Sequence, residues 1–323
     1  MEDMQMFGGR PVVAGRSGAG TGASRLIRVC GALLLAVAVA VAVVGFSARG
    51  AATQESREVV PLERAHAHND YEHERPLHDA LGHGFKSVEA DVWLVDGELL
   101  VAHDRELVQQ GRTLESLYLE PLWREVKANG GSVHEGDTDY FTLLVDIKSE
   151  DVATYRALHE ELRQYRRMMT MFENGRVKDG AVTTIVSGNR PREYMEAQRV
   201  RYAAYDGRLS DLGTSTDQNF VPLISDNWTK NFTWQGIGPM PEAEREKLHD
   251  IVNTAHANGQ RVRFWATPEI PEAREAVWRE LLAVEVDYVN TDHLAELESF
   301  LLANDPHPTE PYVYWNNSIG GGR

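Results

Sequence analysis

Eight short apolar runs, separated mostly by stretches of helical period, constrain this chain more than any other feature. They fall at residues 62–66, 87–93, 141–147, 182–187, 201–205, 221–224, 261–265 and 287–290. Helical patterns occupy residues 77–83, 121–129, 151–165, 191–199, 242–258, 272–284 and 294–302. Strands buried on both faces read as continuous apolar runs, and strands alternating with helices build a parallel sheet through crossovers. Eight such units predict an α/β fold, a single (β/α)8 barrel of the TIM type, which usually takes ~250 residues. Asp96-Gly97 is a two-residue turn signal between Val92-Trp93-Leu94-Val95 and Glu98-Leu99-Leu100-Val101. It predicts an extra β-hairpin after strand two, which folds His103 back beside the end of that strand.

The first fifty residues are of a different character. Arg10, Arg16, Arg25 and Arg28 precede an uncharged apolar run at residues 29–46, and residues 47–52, small apart from Arg49, follow. A basic flank, an apolar centre and a small-residue exit predict a cleaved secretory signal, hence a periplasmic or extracellular protein. The apolar run is also at the margin of spanning a bilayer, so an uncleaved N-terminal membrane anchor is the alternative. Residues 1–52 are assigned to this segment, 53–305 to the barrel and 306–323 to a C-terminal tail. Cys30 is the only cysteine and lies in the apolar run. Beyond it, neither a disulfide nor a cysteine zinc site is available. Residues 1–50 hold five arginines against two acids, leaving −19 for the remainder of a chain of net charge −16. Such acidity disfavours nucleic acid and anionic lipid surfaces as partners. Membrane contact is then expected only through an N-terminal anchor or a lipid substrate.

The chemistry gathers where the apolar runs end. Glu89 and Asp91 are two residues apart inside an apolar run, so a strand points both the same way. A surface pair is the plainer reading, but burying two like acids is costly unless a cation lies between them. All-oxygen ligands suit Mg²⁺ or Ca²⁺. Asp146 ends the third run and Lys148 follows it on the same parity. Asp146 fits as a third metal ligand and Lys148 as a cation for a phosphate oxygen, against the plainer reading of a structural ion pair. His103 precedes Asp104, and a histidine near its ordinary pKa of ~6.5 moves protons at neutral pH. His66 and His68 share one strand face, one as a catalytic group and the other as its support. His73, His78 and His83 sit in polar or helical surroundings and read as surface residues.

These residues, in this order, resemble the superfamily of glycerophosphodiester phosphodiesterases and phosphatidylinositol-specific phospholipase C-like enzymes. The pattern there is a His near the end of strand one, Glu-x-Asp on strand two, His-Asp shortly after, and acidic-x-Lys on strand three. Here it stands as His68, Glu89-Ala90-Asp91, His103-Asp104 and Asp146-Ile147-Lys148. His68-Asn69-Asp70-Tyr71, Arg75-Pro76-Leu77 and Arg112-Thr113-Leu114 are most similar to a subgroup whose fungal members are named for altered inheritance of mitochondria. The Asp-x-Lys form also resembles the sphingomyelinase D enzymes of spider venom. The resemblance runs from about residue 60 to 303 and includes Trp265-Ala266-Thr267 and Val289-Asn290-Thr291-Asp292. Two departures stand out. The glycerophosphodiesterases proper carry His-Arg-Gly where this chain has His68-Asn69-Asp70, so a phosphate-binding arginine is absent there. The stretch between His103 and Asp146 is too short for the extra subdomain many of them contain.

The resemblance implies a TIM-type barrel with one Mg²⁺ or Ca²⁺ and phosphodiester hydrolysis. Glu89, Asp91 and Asp146 are the expected metal ligands, and His68 and His103 the expected acid-base pair. Lys148, His66, Arg190 and Trp265 are expected to bind substrate or phosphate, with Trp228 a further candidate for the head-group pocket. The expected partner is a small-molecule or lipid phosphodiester. Two other classes remain: a zinc-dependent amidohydrolase built on His66-x-His68, and an inactive secreted binding barrel. The histidines needed by the first, His249, His256 and His293, fall in helical patterns rather than at strand ends.

Overall fold

Leu62, Ala65 and Ala67 are fully buried, as are Val88, Ala90 and Val92, and Leu143 and Val145. Burying each such Leu or Val side chain favours folding by about 1.5–3 kcal/mol, and strands apolar on both faces need layers on both sides. The computed structural model describes residues 59–214 and 216–314 and shows how that need is met. Eight parallel strands form the barrel: β1 (Leu62–Ala67), β2 (Phe85–Val95), β3 (Phe141–Ile147), β4 (Val182–Gly188), β5 (Ala203–Gly207), β6 (Leu223–Asn227), β7 (Arg261–Trp265) and β8 (Val289–Thr291). They pair in the order β7-β6-β5-β4-β3-β2-β1-β8. The Arg263–Tyr288 bridge joins the two ends, so the barrel is nearly closed. Eight helices, α1 (His78–Gly82), α2 (Glu120–Ala128), α3 (Asp151–Gln164), α4 (Arg192–Glu196), α5 (Trp228–Asn231), α6 (Glu242–Ala257), α7 (Pro271–Ala283) and α8 (Leu294–Asn304), lie in the connections among the described residues. The segment read as an export signal or anchor lies outside the described residues. Among them, no helix is long and apolar enough to cross a membrane.

Strand Glu98–Val101 pairs antiparallel with the upper half of β2, setting Val92 opposite Val101 and Val95 opposite Glu98. Asp96 and Gly97 turn the chain with φ of 52° and 90°, the left-handed pair that a two-residue hairpin turn demands. The following residues descend until Ala102 N–H donates to Asp91 O at 3.1 Å. His103 is thereby set level with Asp91.

Strand period divides the barrel interior into layers. Asp146, Ser187, Asp206, Ser225 and Asn290 point inward near the carboxyl ends of their strands. Two residues below them stand Leu144, Ile185, Ala204, Leu223 and Tyr288, which form one buried apolar cluster with Phe172. Phe172 belongs to a small antiparallel sheet of strands 171–173, 176–178 and 200–201. The sequence reading did not anticipate this sheet, because strands of two or three residues leave no measurable period, although Asn174-Gly175, at φ of 52° and 74°, is a hairpin turn signal.

One buried acid makes a test of the fold. Asp70 accepts hydrogen bonds from Leu77 N–H at 2.6 Å and Tyr118 O–H at 2.9 Å, fixing the loop that follows β1. Burial nevertheless pushes its carboxyl up to about 7. The folded protein therefore keeps a proton that the unfolded chain releases near 3.8. Stability present below that unfolded value declines as pH rises through about 7. Denaturant midpoints compared near pH 4.5 and 7.5 should show this slope in the wild type and a flatter one in Asp70→Asn. Equal slopes in both proteins would assign the dependence to other groups.

Candidate active site

Parallel register carries the acids to one place. Asp91 lies opposite Asp146 across the β2–β3 pair, and Asp146 lies opposite Ser187 across β3–β4. Glu89, Asp91 and Asp146 each offer a carboxylate oxygen within 4.8 Å of the others. Glu89 and Asp91 are buried and Asp146 is half-buried. Gly188, at φ 66°, ends β4 against Asp146, and a Cβ at that position would collide with Asp146 Oδ1.

The Asp91 carboxylate is divided in its use. Its Oδ2 accepts from Tyr71 O–H at 2.7 Å, His103 Nδ1–H at 3.0 Å and Lys148 Nζ at 3.0 Å. Its Oδ1 is buried without a hydrogen-bond partner. Burial and the neighbouring Glu89 push the Asp91 carboxyl up to about 6, against the pull of Lys148. Asp146 is raised by burial as well, with Lys148 opposing and Glu89 adding. Glu89 goes the other way. Burial opposes its charge, but the Arg263 guanidinium and the His66 hydrogen bond hold it well below the usual carboxylate range. An orphaned buried oxygen within a cluster of three carboxylates fits a hard divalent cation, whose charge would relieve the crowding.

Two histidines flank the acids, each oriented by a carboxylate. His103 gives Nδ1–H to Asp91, so Nε2 is its free nitrogen, and its side chain is 51% exposed. His68 gives Nδ1–H to Asp292 Oδ1 at 2.7 Å, across the β1–β8 edge. Burial opposes its charge, but the Asp292 hydrogen bond and Glu89 lift its pKa above the ordinary value. His66 is different. It is 1% exposed, and burial together with Arg263 lowers its pKa to about 3. A neutral ring facing an acceptor-only carboxylate donates from Nε2 to Glu89 Oε2 at 3.4 Å. Its Nδ1 then accepts from the Ser87 hydroxyl at 2.6 Å. His66 thus supports Glu89 from below, rather than facing the mouth. Lys148 bridges Asp91 and Asp146, at 3.0 and 3.2 Å. The two carboxylates raise its pKa against the effect of burial.

The remaining expected residues divide. Trp265, at the end of β7, is half-buried and stands on the inward parity of Arg263. The Arg208 guanidinium lies 4.8 Å from its ring centroid. Arg190 is not brought to the acids. Its guanidinium lies 4.6 Å from the Tyr205 ring and its Nη1 donates to Gly188 O. Trp228 requires a correction. It is fully buried, stacked on Phe232 at 4.2 Å with Nε1–H bound to Trp234 O, and belongs to a core cluster rather than a head-group pocket. An indole that finds both apolar partners and an acceptor inside the core has no reason to face solvent.

Several site residues escaped the sequence reading. Tyr71 closes the His68-Asn69-Asp70-Tyr71 segment and touches both Asp91 and His103. Arg263 binds Glu89 through Nη2 and Asn290 through Nε at 2.8 Å. It shares the parity of Trp265, a signal that was available. Asp206 is fully buried and accepts from Ser187, Ser225 and Arg208 at 2.6–2.7 Å. It lay one residue beyond the expected end of its strand. No zinc constellation around His66 forms among the described residues. His256 pairs with Asp287, ahead of β8, and His293 pairs with Glu269.

The chain is similar in sequence to known proteins. Residues 53–206 match the AIM6-like phosphodiesterase domain, and residues 261–295 match the Glycerophosphoryl diester phosphodiesterase family. Altered inheritance of mitochondria protein 6 of Eremothecium gossypii is 30% identical over 291 residues, spanning 78% of this chain and 73% of that protein. The homolog from Arthroderma benhamiae is 28% identical over 267 residues, spanning 74% and 84%. The chain thus belongs to the altered inheritance of mitochondria protein 6 family, with a phosphodiesterase-type domain on a TIM-like barrel.

Proposed function

We propose that the barrel mouth hydrolyses a phosphodiester, with His68 and His103 as the acid-base pair and Glu89, Asp91 and Asp146 as ligands of one Mg²⁺ or Ca²⁺. The observation that carries this reading is the Asp91 carboxylate, whose Oδ2 takes three donors while Oδ1 stays buried and unpaired. A bound divalent cation would supply Lewis-acid stabilisation of charge on the phosphoryl oxygens. Lys148, kept charged by its two carboxylates, offers a second cation to the same oxygens. Asp91 and Tyr71 fix the His103 ring through Nδ1 and leave Nε2 to exchange a proton. Asp292 fixes His68 in the same manner. One histidine takes the proton of the attacking hydroxyl and the other protonates the leaving alkoxide. Trp265 and Arg208 form a wall for the part of the substrate beyond the phosphate.

Among diesters, one observation favours a phospholipid over a water-soluble ester. Leu107, Ile237 and Ile270 are 57%, 72% and 65% exposed. All three lie on connections that leave the carboxyl side of the barrel. Trp234 Nε1–H binds Ile237 O at 3.2 Å and Gly238 O at 3.1 Å, so Ile237 is held outward. Exposed apolar side chains on connections at the carboxyl side of the barrel support a lipid aggregate as the form of the substrate. The acidity of the chain favours a zwitterionic surface over an anionic one.

The test is hydrolysis of bis-p-nitrophenyl phosphate, glycerophosphocholine, phosphatidylinositol, lysophosphatidylcholine and sphingomyelin by residues 53–323. Each is run with Mg²⁺, Ca²⁺, Zn²⁺ or EDTA. Activity lost in EDTA and restored by Mg²⁺ or Ca²⁺ is the expected result. A folded protein that cleaves none of these esters with any metal would end the reading and leave a binding barrel. Gly188→Ala adds a check, because its Cβ would press on Asp146 Oδ1 and on the Ile147 backbone without removing a ligand. Divalent-cation affinity measured by calorimetry should fall by roughly 10–100-fold, as for changes around other metal ligands. Unchanged affinity would remove Asp146 from the ligand set. The order of basic, apolar and small residues in 1–52 supports export or anchoring, which N-terminal sequencing of the mature protein distinguishes.

A further inference from the structure

The connection from β5 to β6 departs from the pattern of the barrel. Among the described residues it carries a single 3-10 turn, Leu209–Asp211, in place of a helix. Alternating arginine and aromatic side chains cover the outer face of β5 instead. Tyr205, pointing away from inward Asp206, stacks on Phe220 at 5.3 Å. Arg192 lies 5.1 Å from the Tyr205 ring and 5.7 Å from that of Phe220. Arg201 lies 4.9 Å from both Phe220 and Phe172. Cation–π contacts of this kind are favourable and account for the cover itself.

They do not account for the charge left over. Arg192 is answered by Asp211 and Glu196. Arg201 donates to two backbone carbonyls, Ala203 O at 2.9 Å and Asn219 O at 3.4 Å. Among the described residues no carboxylate stands within 4.0 Å of it. Burial lowers its pKa accordingly. Arg199, exposed two residues away, has no carboxylate at that distance either. Both arginines line a cavity of about 500 Å³ together with Phe172, Phe220 and Arg192, and with two acids, Glu196 and Asp217. The local sequence points the same way. Residues 163–201 hold nine basic and four acidic side chains, a net of +5 within a chain of net −16.

We propose that this cavity is a binding site for a small organic anion, a phosphate or carboxylate attached to a flat apolar group. Arg199 and Arg201 would take the anion, and the phenylalanine rings the apolar part. The volume falls in the range of small-molecule sites, ~300–1,000 Å³. A guanidinium set against aromatic rings, with Glu196 and Asp217 in the same lining but not paired to it, is weakly hydrated and open to a new anionic partner. The site is built from α4, the small sheet and the 216–220 loop, not from the residues of the mouth. It therefore stands whether or not the mouth is a phosphodiesterase.

Phenyl phosphate, an anion with an aromatic ring, is the probe, and inorganic phosphate is its control. Both are titrated by calorimetry in EDTA into wild type, Arg199→Glu and the mouth variant Asp146→Asn. Phenyl phosphate should bind wild type and Asp146→Asn alike, with inorganic phosphate about tenfold weaker or more. Arg199→Glu should weaken phenyl phosphate by at least about tenfold. Arg199 is exposed, so melting temperature should not change, and Arg201→Gln serves as a second variant if it melts like wild type. Absence of binding at millimolar phenyl phosphate would overturn the proposal. So would binding that survives Arg199→Glu but is lost in Asp146→Asn, since that ligand would sit in the mouth.

Discussion

Replacing His103 with alanine should lower phosphodiester turnover by roughly 10²–10⁴-fold, the usual contribution of a positioned acid or base. Its melting temperature should stay close to that of the wild type. The side chain is half exposed, and among the described residues its hydrogen bonds run to Asp91 and Tyr71. Asp91 keeps Tyr71 and Lys148 when the ring is removed. The choice of leaving group assigns the role. A p-nitrophenolate leaves without a proton, whereas an alkoxide needs one. If His103 is the acid, the loss in His103→Ala shrinks on a nitrophenyl ester while that in His68→Ala does not. The reverse result makes His103 the base. An equal and small loss in both variants on both esters would remove the histidine pair from the mechanism. His66→Ala provides the contrast. That ring is buried against Glu89 and Ser87, so its loss should appear as lower stability and disturbed metal binding.

Arg64→Met should cost about 3–5 kcal/mol of stability, the usual penalty for leaving one member of a buried ion pair alone. Arg64 and Asp305 are each 1% exposed and meet at 2.7 Å. Arg64 also donates to Glu310 O and His307 O at 2.7 Å, and stacks 3.8 Å from the Tyr312 ring. One side chain in the first strand thus holds the segment that follows α8. At roughly 2–4 °C per kcal/mol, the melting temperature should fall by about 6–20 °C. Arg64→Met/Asp305→Leu should recover much of the loss, because an apolar pair costs nothing to bury. A single variant that melts like the wild type would show that Arg64 keeps its solvation despite its burial. Activity per folded molecule should stay unchanged, because the clasp does not touch the mouth.

The part of the site that lies on strands was open to reading from the sequence, for one reason. A strand has period two and ends in a known direction, so Glu89, Asp91 and Asp146 fall on one face and at one end without any knowledge of the tertiary structure. Strand placement followed from the same rule, and the expected strands at 141–147 and 261–265 coincide with β3 and β7. Where the reading ended a strand too soon, at Tyr205, it lost Asp206 together with the Ser187, Ser225 and Arg208 contacts that gather on it. The arginine–aromatic cover of β5 left no local pattern, and of the small sheet around Phe172 only the Asn174-Gly175 turn was visible. The third strand of that sheet and the cover consist of contacts between residues far apart in the chain.

Local periodicity and turn chemistry determined the succession of strands and helices and the presence of acids and histidines at strand ends. Tertiary structure decided how each was used. The oriented nitrogens of His68 and His103 depend on Asp292 and Asp91, which reach them across strand edges and the hairpin. The withdrawal of His66 from the mouth depends on Arg263, far along the chain, whose charge beside Glu89 helps keep the imidazole neutral. Trp228 and Arg190 were placed by what they could pack against, which no short stretch of sequence records. Residue type and period are properties of a few neighbouring residues. Burial, hydrogen-bond partners and pKa are properties of the whole folded chain.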